Sequence, residues 1–551
     1  MKKASISIMP DLHRKQRLIA TNAASLITPQ IIAVLMVALI LRLYLLRQPF
    51  VDAFSWRQSS TAMIADNYYR NNWNIFYPEV NWSGAGASYQ GRELQTVSYL
   101  AALLYKILGA HDWLGRSVAV MFGVLGIFAL YQLVRLVWDE ERATCSAAIM
   151  ALLPGSIFIE RSLLPDAAMV ALVTTSFWLL VVYLKTNRTL YLLLAGVIGA
   201  WGFCTKISGL IIGLPMAYAV ISITGKRRLF TKTKLTAIAI FGVLTLIPVI
   251  AYYLWARHLA LTYPPYHFAG AGNWVWDDGI SRWWEQKFFL ALLIRRFTDW
   301  LWTLPVIILV ALGLLLRANQ RTDALASLKN PASTTDSMKA AWLFHWWMLA
   351  GVVFYLIGAK ELVNNPWNFH IINPAAAALA GQAILWIAIF AKRLIHPLAK
   401  PLIITLLLAL IFFRGQQGLS FMYKPYAEDG YQLGLALRRI TAPESLVVTI
   451  ADDPGDPVAI YYSGRRGWVF PPARPDKSWG VIPEDAEAIR LFEELRAEGA
   501  GWLGMVRSQK QELIKRHPLF VEHLERTCEL QQSESGFVVY RILSPEAVAK
   551  P

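Results

Sequence analysis

LQTVSYLAALLYKIL, residues 94–108, is the stretch whose reading decides the fold. It is apolar, but its fifteen residues are short for the ~20 that a bilayer-spanning helix needs. Counting it as a crossing also inverts every loop behind it. Basic segments lie at the tail (Arg14, Lys15, Arg17) and at 135–142, 185–188, 226–234, 317–339 and 392–400. Lys and Arg collect in cytoplasmic loops, so an even number of crossings must separate each segment from the next. Spans at about 30–48, 114–136, 142–160, 167–185, 188–204, 207–224, 235–256, 301–317, 341–359, 371–391 and 401–417 meet that condition, eleven in all. Residues 94–108 then form an interfacial or re-entrant helix on the outer side.

Composition agrees with this reading. Of 551 residues 56% are hydrophobic and 16% charged, against roughly 25% charged in soluble domains. The net charge of +16 sits in short clusters between apolar runs, which excludes a nucleic-acid-binding face and marks topological anchors. Cys145, Cys204 and Cys528 are too far apart for a disulfide framework or a metal site.

Three regions follow. Residues 1–29 are a basic cytoplasmic tail, 30–418 a membrane module with long outer loops at 49–113 and 257–300, and 419–551 a small α/β domain outside the membrane. In that domain YQLGLALRRI and EDAEAIRLFEELRAEG have helical spacing, while SLVVTI, PVAIYY and GFVVYRI read as strands. The location implied is a bacterial-type inner membrane, with the N-terminus cytoplasmic and the C-terminal domain periplasmic.

Ionisable residues at membrane depth are costly and usually pair, line a cavity or do work. Three acids stand at three entrances to the outer face: Asp52 after the first span, Glu93 where the first loop turns back to apolar sequence, and Asp166 at the head of a span. Lys206 is a lone lysine on the side where lysines are sparse, and Arg57, Arg92 and Lys360 are further outward cations suited to a phosphate. His370, in a loop with two Asn residues, is a binding candidate. No definite cofactor is implied and no metal-ligand set is present. A divalent cation is optional, and the adjacent acids Asp277 and Asp278 could hold one. Asp452, Asp453 and Asp456 in IADDPGDP read as turn chemistry. Phosphate-loop, nucleophile-elbow, zinc-protease and dinucleotide motifs are missing, which disfavours chemistry on soluble nucleotides.

Together the first span, the acidic first outer loop, ERSLLPD (160–166), FCTKISGL (203–210) and NFHIINPAAAALAG (368–381) resemble the GT-C membrane glycosyltransferases. The likeness is to the branch holding protein O-mannosyltransferases and lipid A aminoarabinose transferases, and covers residues 30–390. It implies a GT-C-like helical fold of about eleven spans with interfacial helices in the first outer loop. It also implies inverting transfer from a polyprenyl-phosphate-linked sugar to a hydroxyl acceptor on the outer face. In that resemblance Asp52 is the base, Glu93 and Asp166 support it, and Lys206 and Arg57 hold the phosphate. Where many members carry a second acid this chain has Ala53. The Glu-Lys-Pro of the aminoarabinose branch is Glu93-Leu94-Gln95 here, which leaves that lysine's role to Arg92. The rival expectation is a transporter or flippase of a lipid-linked or amphipathic substrate; the sequence has no inverted repeat to support it.

Overall fold

The computed structural model describes residues 27–225, 229–268, 293–318, 340–474 and 480–544. In the membrane module they form α1 (Pro29–Leu43), α2 (Ser55–Arg70), α3 (Thr96–Leu108), α4 (Asp112–Val137), α5 (Glu140–Leu152), α6 (Pro154–Ile159), α7 (Pro165–Thr186), α8 (Thr189–Thr205), α9 (Gly213–Thr224), α10 (Lys232–Thr262), α11 (Leu304–Leu315), α12 (Leu343–Asn364), α13 (Asn373–Leu394) and α14 (Ala399–Met422).

Among the described residues six helices are long and apolar enough to cross a membrane: α4, α7, Ile207–Thr224, α10, Pro366–Leu394 and α14. A bent pair, Leu293–Leu301 with α11, makes a seventh if it is one span, its halves meeting at 109°. The other expected crossings carry shorter or broken helices. The stretch 142–160 breaks at Leu153, held extended ahead of Pro154, because a residue before proline avoids helical geometry. α1, α8 and the first part of α12 are apolar but shorter, and at 13 residues α3 falls in that class too. Length alone therefore does not separate α3 from the short spans.

Packing places α3 more firmly. Its Ala102 and the α2 residues Met63, Ile64 and Tyr68 share one apolar cluster with Val447, Ile460 and Val469 of the C-terminal domain. α2 and α3 thus lie between that domain and the helical bundle. Inside the bundle α4, α7 and α13 are mostly buried. α9, α10 and α14 turn apolar side chains such as Leu246, Ile250 and Leu406 outward, as lipid contact requires.

The C-terminal part contains α15 (Glu428–Ile440), β2 (Leu446–Ile450), α16 (Val458–Ser463), β3 (Arg466–Val469), α17 (Asp485–Ala497), β4 (Trp502–Val506), α18 (Arg507–Arg516), α19 (Pro518–Thr527), β5 (Cys528–Ser533) and β6 (Phe537–Ile542). The six-stranded sheet runs β1-β3-β2-β4-β6-β5 and is mixed, β2 pairing in parallel with both β3 and β4. Its first strand, β1 (Ser83–Gly84), belongs to the first outer loop and pairs antiparallel with β3. Gly467, which faces Gly84 in this pairing, must be glycine for its contact on the other side: at φ 148° a side chain is strained, and a Cβ would lie 1.9 Å from Val447 O of β2. Glu79 and Gly86 O bind the Arg466 guanidinium at 2.6 and 2.5 Å, fastening the same loop. The loop and the domain therefore share a sheet.

One expected strand is a helix. PVAIYY folds as α16 because the Asp456 carboxylate accepts from Val458 N–H at 2.8 Å, and Pro457 supplies the first carbonyl, to Tyr461 N–H at 2.9 Å. The expected boundary at 418 falls inside α14, which continues to Met422.

Burial pushes the Asp456 carboxyl up to about 8, with the Val458 N–H pulling the other way. The folded domain therefore binds this proton more tightly than the unfolded chain, whose carboxyl titrates near 3.9. The sign is fixed: the stabilisation is complete below the unfolded value and is lost as pH rises through about 8. The melting temperature should fall between pH 5 and pH 9, and Asp456→Asn, which keeps the accepting oxygen, should flatten that fall. An equally steep decline in the variant would refute the assignment.

Candidate functional site

The chain leaves α1 through Leu45, in a left-handed turn, and reaches the head of α2 through Phe54, also left-handed at φ 67°. Asp52 sits between them, fully buried. Its Oδ2 accepts from Arg161 Nη1 at 2.6 Å and Arg116 Nη2 at 3.1 Å, and its Oδ1 accepts from the Gln58 amide at 2.7 Å. Both arginines also bind backbone carbonyls of the same turn, Arg161 at Leu45 O (2.6 Å) and Arg116 at Pro49 O (3.1 Å). Gln58 continues the network, its Oε1 accepting from Leu163 N–H at 3.2 Å.

Three residues beyond Leu163, Asp166 occupies the first turn of α7, where Pro165 starts the helix and the N-terminal dipole favours an acid. Its Oδ1 holds Lys206 Nζ at 2.6 Å. Lys206 caps α8 in extended conformation. The carbonyl of Cys204, two residues earlier, accepts from Leu94 N–H at 2.9 Å, and Thr205 and Thr96 hydroxyls meet at 2.7 Å. This seam brings up Glu93, which pairs with Arg57. The adjacent Gly91 approaches α10 so closely that a Cβ would stand 2.3 Å from Ala256 O. Arg92 gives Nη1 to Ser60 Oγ at 3.1 Å, while its carbonyl accepts from Tyr252 OH at 3.0 Å. His267 lies beside Arg57 and Glu93. Desolvation first, and then the Arg57 cation, lower it to about 4, so it is neutral at physiological pH.

The three expected acids stand on stretches of chain that touch one another, and each has its own cation: Asp52 has Arg116 and Arg161, Glu93 has Arg57, and Asp166 has Lys206. The Arg57 and Lys206 side chains are the most exposed of these, at 11% and 12%, with Glu93 at 6%. His370 joins a different set. Its Nε2 lies 3.2 Å from Glu160 Oε1, and its Nδ1 faces the Asn373 amide at 3.0 Å. Glu160 Oε2 holds Arg42 Nε at 2.6 Å. The side chain of Lys360 lies outside the described residues, as do Asp277 and Asp278. Among the described residues no group of three or more His, Cys, Asp or Glu is placed to hold a metal.

Arg42, Arg116, Glu160, Arg161, Gln58 and His267 were not singled out in the sequence. The arginines carry the signal that revealed Lys206, a cation in or beside an apolar run toward the outer face. As helix-end residues they pass for interfacial anchors.

Comparison with known proteins bears out the GT-C resemblance. Residues 96–252 match the family model for dolichyl-phosphate-mannose-protein mannosyltransferases. The crystal structure of ArnT from Cupriavidus metallidurans bound to undecaprenyl phosphate superposes with a TM-score of 0.58 at 13% identity, covering 94% of this chain and 99% of that one. The archaeal oligosaccharyltransferase AglB from Archaeoglobus fulgidus, in complex with an inhibitory peptide and a dolichol-phosphate, gives a TM-score of 0.54 at 14% identity, covering 93% and 74%. At such identities the likeness is one of fold. No curated protein matches by sequence.

The Glu160 network is a folding element by its geometry, since Arg42, Glu160 and His370 are all buried. Removing one partner of a buried ion pair typically costs about 3–5 kcal/mol. Glu160→Gln should therefore lower the melting temperature in detergent by about 3–4 °C, since 1 kcal/mol is worth roughly 1 °C for a chain of 551 residues; a melting curve that coincides with wild type would contradict that role.

Proposed function

We propose that this chain, a membrane glycosyltransferase of the GT-C type, moves a sugar from a polyprenyl-phosphate donor to a hydroxyl acceptor with inversion, on the outer face of the membrane. The observation that carries the reading is the pair of exposed-edge cations, Arg57 and Lys206, held ready by Glu93 and Asp166 on either side of the Leu94–Cys204 seam. A donor phosphate can take over either cation, because a charge-assisted bond to phosphate replaces one to carboxylate at similar strength. The fold relatives support this, since ArnT is bound to undecaprenyl phosphate and AglB to a dolichol-phosphate.

In the reaction the acceptor hydroxyl oxygen bonds to the anomeric carbon as the bond from that carbon to the phosphate oxygen breaks. The hydroxyl proton passes to Asp52, and the electron pair leaves with polyprenyl phosphate. Arg57 and Lys206, with Arg92 behind them, stabilise the growing negative charge without a proton transfer. Asp52 suits the base role in one respect: both guanidiniums crowd Oδ2, whereas Oδ1 accepts only from the neutral Gln58 amide. Because Asp52 is buried, the role entails an opening on the Gln58 side, where Oδ1 lies, on acceptor binding, while the backbone of the turn stays in place. With the N-terminus cytoplasmic, the eleven crossings read from the loop charges, an odd number, would put this site and the C-terminal domain outside the cytoplasm.

Incubating the purified protein in liposomes with radiolabelled polyprenyl-phosphate sugars and a hydroxyl acceptor should release free polyprenyl phosphate. Flipping alone would release none and would sink the proposal. Asp52→Asn should lower kcat by about 10²–10⁴-fold, the usual worth of a general base. Lys206→Ala should chiefly weaken donor use.

A further inference from the structure

The turn that carries Asp52 is held from the far end of the chain. Gln48 Nε2 donates to Tyr423 O at 3.0 Å, and Phe50 N–H donates to the Tyr462 hydroxyl at 2.7 Å. Ala427 N–H donates to Val51 O, and Ala53 N–H to Met422 O, both at 3.0 Å. Asp52 is therefore flanked by backbone bonds to Met422, the last residue of α14, and to Ala427 in the link from α14 to α15.

The two guanidiniums on Asp52 depend on the same end of the chain. Tyr462 OH donates to Asp112 Oδ2 at 2.6 Å, and Tyr461 OH to Oδ1 at 3.1 Å. A hydroxyl has one proton to give and can accept as well, so Tyr462 serves Asp112 and Phe50 together. Asp112 and Arg116 stand one turn apart on α4, on the same face. Arg116 reaches Asp52 with the Phe50 ring beneath its guanidinium at 5.0 Å. On the other side the Arg161 guanidinium lies over the Tyr423 ring at 4.7 Å.

We infer that Tyr462 is a positioning residue for Asp52, through which the C-terminal domain forms a standing part of the catalytic framework. The inference rests on the proposed role of Asp52. Tyr462 acts by fixing Phe50 and Asp112, and so the register of the 48–53 turn against Arg116. A displacement near 1 Å can cost on the order of 10²-fold in rate. The ring itself is packed against Tyr431 and Tyr461 at centroid distances of 4.6 and 4.8 Å, so Tyr462→Phe removes the hydroxyl and leaves the packing.

The test is a double-mutant cycle in liposomes. Tyr462→Phe should lower kcat by about 10–100-fold with the KM for polyprenyl-phosphate sugar unchanged. In an Asp52→Asn background it should cost little more. If Tyr462→Phe retains wild-type kcat while Asp52→Asn is impaired, or if its effect is undiminished in the Asp52→Asn background, the inference is overturned. Full turnover by Asp52→Asn alone would instead remove the reading beneath it. Asp112→Ala removes the acceptor and so breaks the same link from the other partner; it should show the same split between kcat and KM, which keeps the test open if Tyr462→Phe does not accumulate.

Discussion

Two guanidiniums share one carboxylate oxygen at the centre of this molecule, and much of the outer architecture exists to keep them there. Arg116 and Arg161 come from different helical segments, and Asp52 comes from the turn between α1 and α2. Taking such charges out of water costs several kcal/mol per ion, which is recovered only when geometry and hydrogen bonds are nearly complete. The arginines recover part of that cost by also binding the carbonyls of Leu45 and Pro49, while Arg116 Nε and Nη1 and Arg161 Nε have no hydrogen-bond partner among the described residues. The turn after α1 thus gives the arginines two backbone carbonyls as well as the Asp52 carboxylate.

The same constraint explains why the C-terminal domain is not an appendage. β1 is borrowed from the first outer loop, α2 and α3 share a core with β2 and β3, and α16 delivers two tyrosines to Asp112. Arg57, Glu93 and Lys206 lie where α8 and α10 meet the loop and some solvent contact remains. A rigid buried carboxylate thus stands beside partly open cations, an arrangement suited to a reaction in which one group takes a proton and the others receive a phosphate.

Much of this was legible in the sequence. Apolar periodicity gave the helical class and the small α/β domain, and it singled out Asp52, Glu93, Asp166 and Lys206, each of which the structure pairs with an opposite charge. The pairings were hidden because their partners are distant in the chain, 64 residues for Arg116 and 109 for Arg161. Ser83–Gly84 gave no strand signal, since a two-residue strand in SGAGAS exists only through the edge that β3 offers. PVAIYY carries a β-branched and aromatic pattern, yet a capping Asp456 and Pro457 make it helical, the usual ambiguity of short apolar runs.

The central claim is that the 48–53 turn and the C-terminal domain are one cooperative body around Asp52. Hydrogen–deuterium exchange of the full chain along a denaturant series tests it directly, because amides in one cooperative unit open with one free energy. The account predicts that peptides covering 48–58 and 446–470 lose protection in the same transition. Early opening of 48–58 while the sheet remains protected would contradict it.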